Sequence, residues 1–509
     1  MDEPKSIQPD TPENRALSEN VHPAGWINPE PSGRYNLVIV GAGTAGLVCA
    51  AGAAGLGARV ALIERHLMGG DCLNVGCVPS KGVIRAARAV FDARNAHPFG
   101  IDNTEVLGFD FGRAMERMRT LRTSISRHDS ARRFRDELGV DVYFGQASFA
   151  ASDCITVGSS RLYFHRAAIC TGTRAAVPQI PGLAEAGYLT NETLFSLTEL
   201  PPRMALIGAG PIGCELAQAF ARFGCRVTLI ELGSQILGRE DRDAADILHA
   251  AFIREGIALQ LGVKILRIEQ RNGEKVVALR DNGAEVEVTV DEILVGIGRL
   301  PNLEGLDLER GGIASTAQGI TVGDTLQTSN PRVYAAGDVC SPLKFTHTAD
   351  AMARLLIANA LFMGHQRTSA LTIPWCTYTD PEIAHVGMYE HDAREKGIEV
   401  TTLTVPLAEV DRAVLDGDSQ GFARVHLKKG TDTILGATIV ARHAGDMISE
   451  LSLAISGKTG LRAIAATIHP YPTQAEVIRK LADAYNRTRL TPFIRKVLSG
   501  WLQWQRSGT

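Results

Sequence analysis

The chain contains two copies of one local pattern, in which an apolar strand leads into a glycine-rich turn, a helix and a second strand that ends in an acid. The first copy has an apolar segment at 35–40, followed by Gly41, Gly43, Gly46 and Glu64. The second has an apolar segment at 204–207, followed by Gly208, Gly210, Gly213 and Glu231. In each copy the last glycine precedes the acid by 18 positions. The repeat predicts two separate dinucleotide-binding α/β units.

Each part of this pattern has a physical role in holding a dinucleotide. The first glycine allows a tight turn, the second lets backbone approach a pyrophosphate, and the third lets the helix pack on the strand. The terminal acid accepts hydrogen bonds from ribose hydroxyls and repels a 2′-phosphate. Glu231 therefore favours NAD(H) over NADP(H) at the second loop. The alternative is that Arg239 or Arg242, which follow closely, binds a 2′-phosphate.

Composition excludes several other classes of protein. The net charge of −3 is unlike that of a nucleic-acid-binding chain, and nine scattered cysteines do not form a secreted disulfide scaffold. No apolar run reaches the ~18 residues of a membrane span. Residues 1–33 lack the apolar core of a signal peptide, which predicts a cytoplasmic enzyme with a loose N-terminal extension. Glycine is enriched, with 51 of 509 residues, as phosphate-binding loops require.

The most specific segment is residues 69–81, which contains two cysteines five positions apart, Cys72 and Cys77. Pro79 is typical of the first turn of a helix, so Cys77 is predicted near a helix N-terminus, where the dipole stabilises a thiolate. Lys81 adds a positive charge nearby. Two buried structural cysteines are the alternative for this pair.

This segment and the two loops together resemble the FAD-dependent pyridine nucleotide-disulfide oxidoreductases of class I, and most of all mercuric reductase and dihydrolipoamide dehydrogenase. The resemblance extends from about residue 35 to residue 490. It implies an α/β fold with two Rossmann-like domains, one for FAD and one for NAD(P), and a C-terminal α+β dimerisation domain. It also implies a homodimer whose active site is shared across the interface.

The resemblance divides the chain into segments with different expected roles. Residues 1–33 are an extension and residues 486–509 are a basic amphipathic tail. Between them lie the FAD-binding domain (34–180 and 304–372), the NAD(P)-binding domain (181–303) and the dimerisation domain (373–485).

The resemblance also assigns roles to individual residues. The implied FAD-binding residues are Gly41, Gly43, Gly46, Glu64, Thr171, Gly172 and Asp338. The implied nicotinamide-dinucleotide residues are Gly208, Gly210, Gly213 and Glu231, with Arg299 in the segment that leaves that domain. Lys81 and Glu215 match an ion pair beside the reactive part of the flavin. Cys77 resembles the thiol that contacts the flavin, and Cys72 the thiol that exchanges with substrate.

The chain departs from the family at the position of the acid-base histidine, which disulfide-reducing members carry near the C-terminus together with a glutamate that orients it. The resemblance assigns that glutamate to Glu476. Here the segment is His469-Pro-Tyr-Pro-Thr-Gln-Ala-Glu476, which puts Tyr471 at the histidine position and His469 two residues earlier. A tyrosine, with a pKa of ~10, shuttles a thiol proton poorly near neutral pH. Mercuric reductase also has a tyrosine at this position.

Two features of mercuric reductase are absent from the sequence, and one residue is unusual. No cysteine follows Cys376, where a metal-capturing pair is expected, and residues 1–33 contain no cysteine. Asp71 replaces the threonine that usually precedes the first cysteine, and its carboxylate is expected to raise the pKa of Cys72. No structural metal is predicted; Cys72 and Cys77 are the candidate ligands for a substrate ion.

The leading hypothesis is an FAD-dependent NAD(P)H oxidoreductase that passes electrons through the Cys72–Cys77 disulfide to a thiophilic metal ion or another small oxidant. The first alternative is a dihydrolipoamide dehydrogenase-type enzyme with His469 as the acid-base.

The second alternative is a non-catalytic flavoprotein that binds a partner or a membrane through its tail, which contains five cations and no acid. Such tails more often pack on their own protein than on a membrane. His347 is expected either to pack near the flavin or to take part in the chemistry.

Overall fold

The computed structural model describes residues 7–102 and 108–507; residues 1–6, 103–107 and 508–509, which include the ends of the predicted extension and tail, lie outside the described residues. The chain forms two compact units. The first comprises Met1–Leu237 and Ile253–Leu371, and the second comprises Gly238–Phe252 and Thr372–Thr509.

The described residues include α-helices that range from a single turn to five turns. In chain order they are α1 (Pro12–Val21), α2 (Thr44–Gly55), α3 (Gly70–Asn74), α4 (Cys77–Arg94), α5 (Phe111–Ser126), α6 (Ala131–Asp136), α7 (Leu183–Ala186), α8 (Asn191–Leu194), α9 (Pro211–Phe223), α10 (Arg242–Arg254), α11 (Thr346–Leu361), α12 (Glu390–Glu395), α13 (Asp411–Asp416), α14 (Ala444–Ser456), α15 (Leu461–Ala466), α16 (Glu476–Thr488) and α17 (Pro492–Ser507).

The strands are mostly short. In chain order they are β1 (Arg34–Val40), β2 (Val60–Glu64), β3 (Asp141–Phe144), β4 (Ala147–Ala151), β5 (Cys154–Val157), β6 (Ser160–Ile169), β7 (Thr173–Ala175), β8 (Arg203–Ile207), β9 (Arg226–Glu231), β10 (Ala258–Leu261), β11 (Lys264–Arg271), β12 (Glu274–Asp281), β13 (Ala284–Val290), β14 (Glu292–Val295), β15 (Arg299–Pro301), β16 (Ser315–Thr316), β17 (Gly319–Ile320), β18 (Val333–Ala335), β19 (Pro374–Thr377), β20 (Glu382–Gly387), β21 (Val400–Pro406), β22 (Phe422–Lys428) and β23 (Ile434–Ala441).

The first unit is built around two sheets that each follow one copy of the repeat. One sheet has the order β3-β2-β1-β6-β5-β4, with β18 also paired to β6. Strands β1, β2, β3, β6 and β18 pair in parallel. The other sheet is parallel throughout, with the order β10-β9-β8-β14. The continuous apolar character of β1 and β8 follows from this, because parallel strands are covered on both faces.

The second unit contains an antiparallel five-stranded sheet with the order β19-β20-β23-β22-β21. Helix α16 packs the apolar side of its surface into the core of this unit through Val477, Ile478, Leu481 and Tyr485. The two Rossmann-like sheets and the separate α+β unit confirm the predicted fold class.

The N-terminal extension is not loose throughout, contrary to the sequence-based expectation. Thr11 caps helix α1, and Leu17 and Val21 are completely buried in the core of the first unit. The Asn14 side chain accepts a hydrogen bond from Arg122 Nη2 at 2.7 Å. Two buried apolar residues and one buried amide were too weak a pattern in a polar segment to predict this packing.

Candidate active site

The first glycine loop closes tightly between β1 and α2. A Cβ added at Gly46 would lie 1.8 Å from the Gly41 carbonyl oxygen, so a larger residue cannot occupy this position. Gly43 is the N-cap of α2, whose first backbone N–H groups are therefore open to a phosphate. Glu64 Oε2 accepts a hydrogen bond from the Ala42 amide at 2.7 Å, which fixes the carboxylate beside the loop.

The second glycine loop repeats this geometry between β8 and α9. A Cβ at Gly213 would lie 1.9 Å from the Gly208 carbonyl oxygen, and Gly210 is the N-cap of α9. Glu231 Oε2 accepts from the Ala209 amide at 2.7 Å, as Glu64 does in the first loop. The two loops therefore present the same arrangement of helix N-terminus and acid, as expected for two dinucleotide sites.

The first loop fits the adenosine end of FAD. A cleft opens beside it and is lined by Gly41, Glu64 and Thr171, among other residues. The glycines of the loop, the helix end without a side-chain cap and the acceptor carboxylate together match the donors and acceptors of an ADP group.

A connected polar group joins Asp338, an expected FAD-binding residue, to Thr173 and Arg299. Thr173 Oγ1 donates to Asp338 Oδ2 at 3.1 Å, and Arg299 Nε donates to Thr173 Oγ1 at 2.7 Å. Burial raises the pKa of Asp338, and Arg299 opposes this shift. Thr171 and Gly172 both contact Asn302, through the Thr171 hydroxyl at 2.8 Å and the Gly172 carbonyl at 3.0 Å. Asp338 is thus held as an acceptor for hydroxyl groups.

The two cysteines lie on consecutive helices, the short α3 and the long α4, and their thiols form a hydrogen bond. Cys72 is in α3 and is half-buried, whereas Cys77 is the first residue of α4 and is exposed. The hydrogen bond from Cys72 lowers the pKa of Cys77 to about 6, with further help from the Thr346 hydroxyl and the Lys81 ammonium. The same hydrogen bond and burial raise the pKa of Cys72. Near neutral pH the reduced pair therefore consists of a Cys77 thiolate and a neutral Cys72.

An ion pair lies close to the cysteines, with its lysine one helical turn after Cys77 on α4. Lys81 Nζ lies 2.8 Å from Glu215 Oε2. This contact joins α4, which carries Lys81, to α9, which follows the second glycine loop and carries Glu215. The Glu215 side chain is only 6% exposed, so its charge requires a partner. The structure brings together these two residues, which are 134 positions apart, as the resemblance implies.

The role expected for Asp71 changes in the structure. Its carboxylate forms an ion pair with Arg299, which neutralises much of its charge. The pKa of Cys72 is raised mainly by the bond to Cys77 and by burial, and the contributing carboxylate is Asp129. Asp71 therefore links the cysteine helix α3 to the polar group at Thr173 and Asp338.

The hydroxyl of Thr346 is a site residue that the sequence analysis did not single out. Thr346 is the first residue of α11, and its Oγ1 lies 3.4 Å from Cys77 Sγ. The neighbouring His347, which the sequence analysis weighed instead, is exposed and stacks on Phe345 at 5.3 Å between ring centroids. The signal available in sequence was Asp338, an implied FAD-binding residue that lies eight positions before Thr346.

Replacing Thr346 with valine is expected to raise the pKa of Cys77 above about 6, because a hydroxyl that stabilises the thiolate is lost. The pH dependence of iodoacetamide alkylation in the reduced protein measures this pKa. Thr348→Val is the matched control, since the buried Thr348 hydroxyl has no hydrogen-bond partner among residues 7–102 and 108–507. An equal shift in both variants, or no shift, would contradict the assigned contact.

The C-terminal segment is part of the second unit and has its own polar contacts. The Tyr471 hydroxyl donates to Asp411 Oδ2 at 2.9 Å, and this hydrogen bond raises the pKa of Tyr471. His469 Nε2 lies 3.0 Å from Glu450 Oε1, and Glu476 instead forms an ion pair with Lys480 at 3.9 Å. The carboxylate beside His469 therefore comes from α14 and not from the segment itself.

Comparison with known proteins finds similar sequences along nearly the whole chain. The pyridine nucleotide-disulphide oxidoreductase model matches residues 35–353, and the dimerisation domain of the same family matches residues 373–482. Mercuric reductase from Staphylococcus aureus is 34% identical over 456 residues, which cover 89% of this chain and 83% of that protein. Dihydrolipoyl dehydrogenase from Chlamydia trachomatis is 34% identical over 458 residues, which cover 87% of this chain and 95% of that protein.

A solved structure has the same fold. The Cu(II) complex of the HOCl-induced flavoprotein disulfide reductase RclA from Escherichia coli superposes with a TM-score of 0.79 at 28% identity, covering 89% of this chain and all of that one. The chain therefore belongs to the FAD-dependent pyridine nucleotide-disulphide oxidoreductase family, as an enzyme of class I with the family's dimerisation domain.

Proposed function

We propose that this enzyme takes electrons from a reduced nicotinamide and passes them through the Cys72–Cys77 disulfide to a thiophilic metal ion or another small oxidant. The observation that carries the proposal is the setting of the thiol pair: Cys77 is the first residue of α4, 3.4 Å from the Thr346 hydroxyl and one turn before Lys81, and Cys72 is half-buried on α3. When bound, FAD supplies the two-electron step between nicotinamide and disulfide.

The chain's own residues account for the thiol chemistry. Two electrons open the disulfide, leaving Cys77 as a thiolate while Cys72 takes one proton. Lys81 stabilises the Cys77 thiolate by its charge, and Glu215 holds Lys81 in place. Cys72, once deprotonated, is the sulfur that exchanges with substrate. Cys72 releases its proton to water as the metal ion binds both sulfurs. When the disulfide forms again, its two electrons reduce one Hg(II) ion to Hg(0), or two Cu(II) ions, one electron each, to Cu(I).

A metal ion fits the site better than an organic disulfide because it needs no proton from an acid-base group. Tyr471 is 70% exposed and its pKa is raised, so it holds its proton near neutral pH. The mercuric reductases and the Cu(II) complex among similar proteins support this interpretation. We place the reaction in the cytoplasm, where reduced nicotinamides are available, and in a homodimer whose active site includes the partner's C-terminal segment.

The test is an oxidant panel of Hg(II), Cu(II), lipoamide, glutathione disulfide and a quinone, each with NADH and NADPH. The proposal expects the highest kcat/KM with a thiophilic metal ion, and equal turnover of every oxidant by a Cys72→Ser variant and the unmodified enzyme would contradict it.

A second candidate, a dihydrolipoamide dehydrogenase-type activity, is supported by the His469–Glu450 contact of 3.0 Å, because a carboxylate partner orients an imidazole for proton transfer. It requires NAD⁺ reduction by dihydrolipoamide that falls at least about a hundredfold in His469→Ala. Without such turnover in the unmodified enzyme this candidate is excluded.

The preference for NADH is a further part of the proposal and depends on Glu231. Its carboxylate is fixed beside the second glycine loop by the Ala209 amide, while Arg242 forms an ion pair with Asp246 at 2.8 Å. Glu231→Gln keeps an acceptor for the Ala209 amide but removes the charge, so the NADH/NADPH ratio of kcat/KM is expected to fall about tenfold. Glu255→Gln, an acid outside the loop, serves as the control, and an unchanged ratio in Glu231→Gln would contradict this assignment.

A further inference from the structure

The C-terminal helix α17 is the feature that the oxidoreductase chemistry does not use. All of its residues are exposed, and seven of them are large apolar side chains. Phe493 is 75% exposed and Trp504 is 64% exposed. The preceding helix α16 is amphipathic as well, but it buries its apolar side chains in the core of the second unit. The expectation that the tail packs on its own chain is therefore not met within the described residues.

The apolar side chains of α17 form one continuous face. At about 100° per residue, Phe493, Val497, Trp501 and Trp504 lie on one side of the helix, and Leu498 and Leu502 extend the same face. Arg495 and Arg506 lie beyond one edge of this face, and Lys496 lies beyond the other. A 16-residue helix with an apolar half and a cationic half is typical of helices that lie in the plane of a membrane interface.

The positive charge of residues 486–509 favours an anionic partner for α17. Residues 486–509 contain Arg487, Arg489, Arg495, Lys496 and Arg506 and no acid, and none of these cations forms an ion pair in the described part of the chain. The rest of the chain carries a net charge of −8, since the whole chain carries −3 and the tail +5. An anionic surface therefore attracts the tail and repels the remainder, which gives the attachment one orientation.

The aromatic residues favour lipid over a second copy of this chain. Trp501 and Trp504 stand 5.0 Å apart between ring centroids, and tryptophan is enriched where an apolar phase meets water. Two α17 helices packed together would bring their cations close to each other without any acid in the tail to compensate. No helix among the described residues has the length and apolar character to cross a membrane, so α17 is suited to lie on the surface.

We propose that α17 is an in-plane anchor that binds the enzyme to anionic phospholipid surfaces, with the Trp501 and Trp504 face in the acyl boundary and Arg495, Lys496 and Arg506 at the headgroups. The anchor would hold the oxidoreductase at the bilayer without a membrane span. This role is separate from the thiol chemistry, so either proposal can fail without the other.

The test is flotation of the FAD-loaded full-length protein with vesicles of phosphatidylcholine alone or with 30% phosphatidylglycerol. We expect binding to the anionic vesicles that is at least about tenfold stronger than to the neutral ones and weakens at high salt. W501A/W504A is expected to lower the partition coefficient at least about tenfold, and R495Q/K496Q/R506Q about a hundredfold on anionic vesicles.

The control is I27A/M363A, which removes two exposed apolar side chains outside the helix and is expected to leave binding unchanged. All variants should keep the NADH-dependent activity of the unmodified enzyme in the absence of vesicles. Absence of vesicle binding would overturn the proposal, as would binding that W501A/W504A leaves intact. A lower mass of W501A/W504A in sedimentation velocity, with no change in vesicle binding, would assign the helix to contact between copies of the chain instead.

Discussion

Replacing Cys72 with serine is expected to lower turnover of the oxidant at least about a thousandfold, because a serine hydroxyl neither exchanges with disulfides nor binds soft metals. The structure places Cys72 in hydrogen-bonding contact with Cys77 and leaves it partly open to solvent, as an exchanging sulfur requires. The rate at which NADH bleaches the visible absorption of bound FAD should change little. Stopped-flow and steady-state assays on one preparation separate these two effects.

Cys376→Ser is the matched control for this prediction. Cys376 is also half-buried, and its sulfur contacts the Glu382 carboxylate. We expect its turnover to stay close to that of the unmodified enzyme. Turnover in Cys72→Ser above half of the original value would show that electrons leave by a route other than the thiol pair.

Replacing Gly213 with valine is expected to abolish reduction by NADH while FAD remains bound. The new Cβ would lie 1.9 Å from the Gly208 carbonyl oxygen, so the second loop cannot keep its shape. The first loop is a separate structure at Gly41 and Gly46, which predicts a normal FAD content and normal reduction by dithionite. Absorption spectra and NADH-dependent activity measure the two properties independently.

Gly210→Ala tests the same site without disturbing the protein itself. A Cβ at Gly210 meets no atom within 4 Å, so the variant should fold with an unchanged melting temperature. Because the second glycine of the loop lets backbone approach the pyrophosphate, KM for NADH should rise about 10- to 150-fold, the equivalent of ~1.5–3 kcal/mol. An unchanged KM in Gly210→Ala would mean that the nucleotide does not lie against this loop.

The glycine loops were predictable because each is determined by residues close together in sequence. The turn, the helix end and the acid of the second loop all lie between Gly208 and Glu231, and the structure repeats in it the contact between Glu64 and the Ala42 amide. Strand and helix positions in these units followed from the same local pattern. The fold class was therefore accessible from sequence alone.

The long-range contacts of the site were not accessible in the same way. Thr346 lies 269 positions from Cys77, and Arg299 lies 228 positions from Asp71. Neither pairing has a local signal in the sequence. The expectation that Asp71 raises the pKa of Cys72 therefore left out Arg299, whose positive charge compensates the Asp71 carboxylate. His469, between α15 and α16, illustrates the same limit, since its carboxylate partner Glu450 lies on α14, whereas the resemblance pointed to Glu476.

The most direct test of the proposed thiol mechanism is an anaerobic titration of the enzyme with NADH, followed by absorption at long wavelength. We expect a new absorption band that arises from contact between the Cys77 thiolate and FAD. The band should fade as the pH falls through about 6, because the thiolate is then protonated. The band should be absent in Cys77→Ser. Its absence from the unmodified enzyme, or its persistence in Cys77→Ser, would contradict a Cys77 thiolate at the centre of the mechanism.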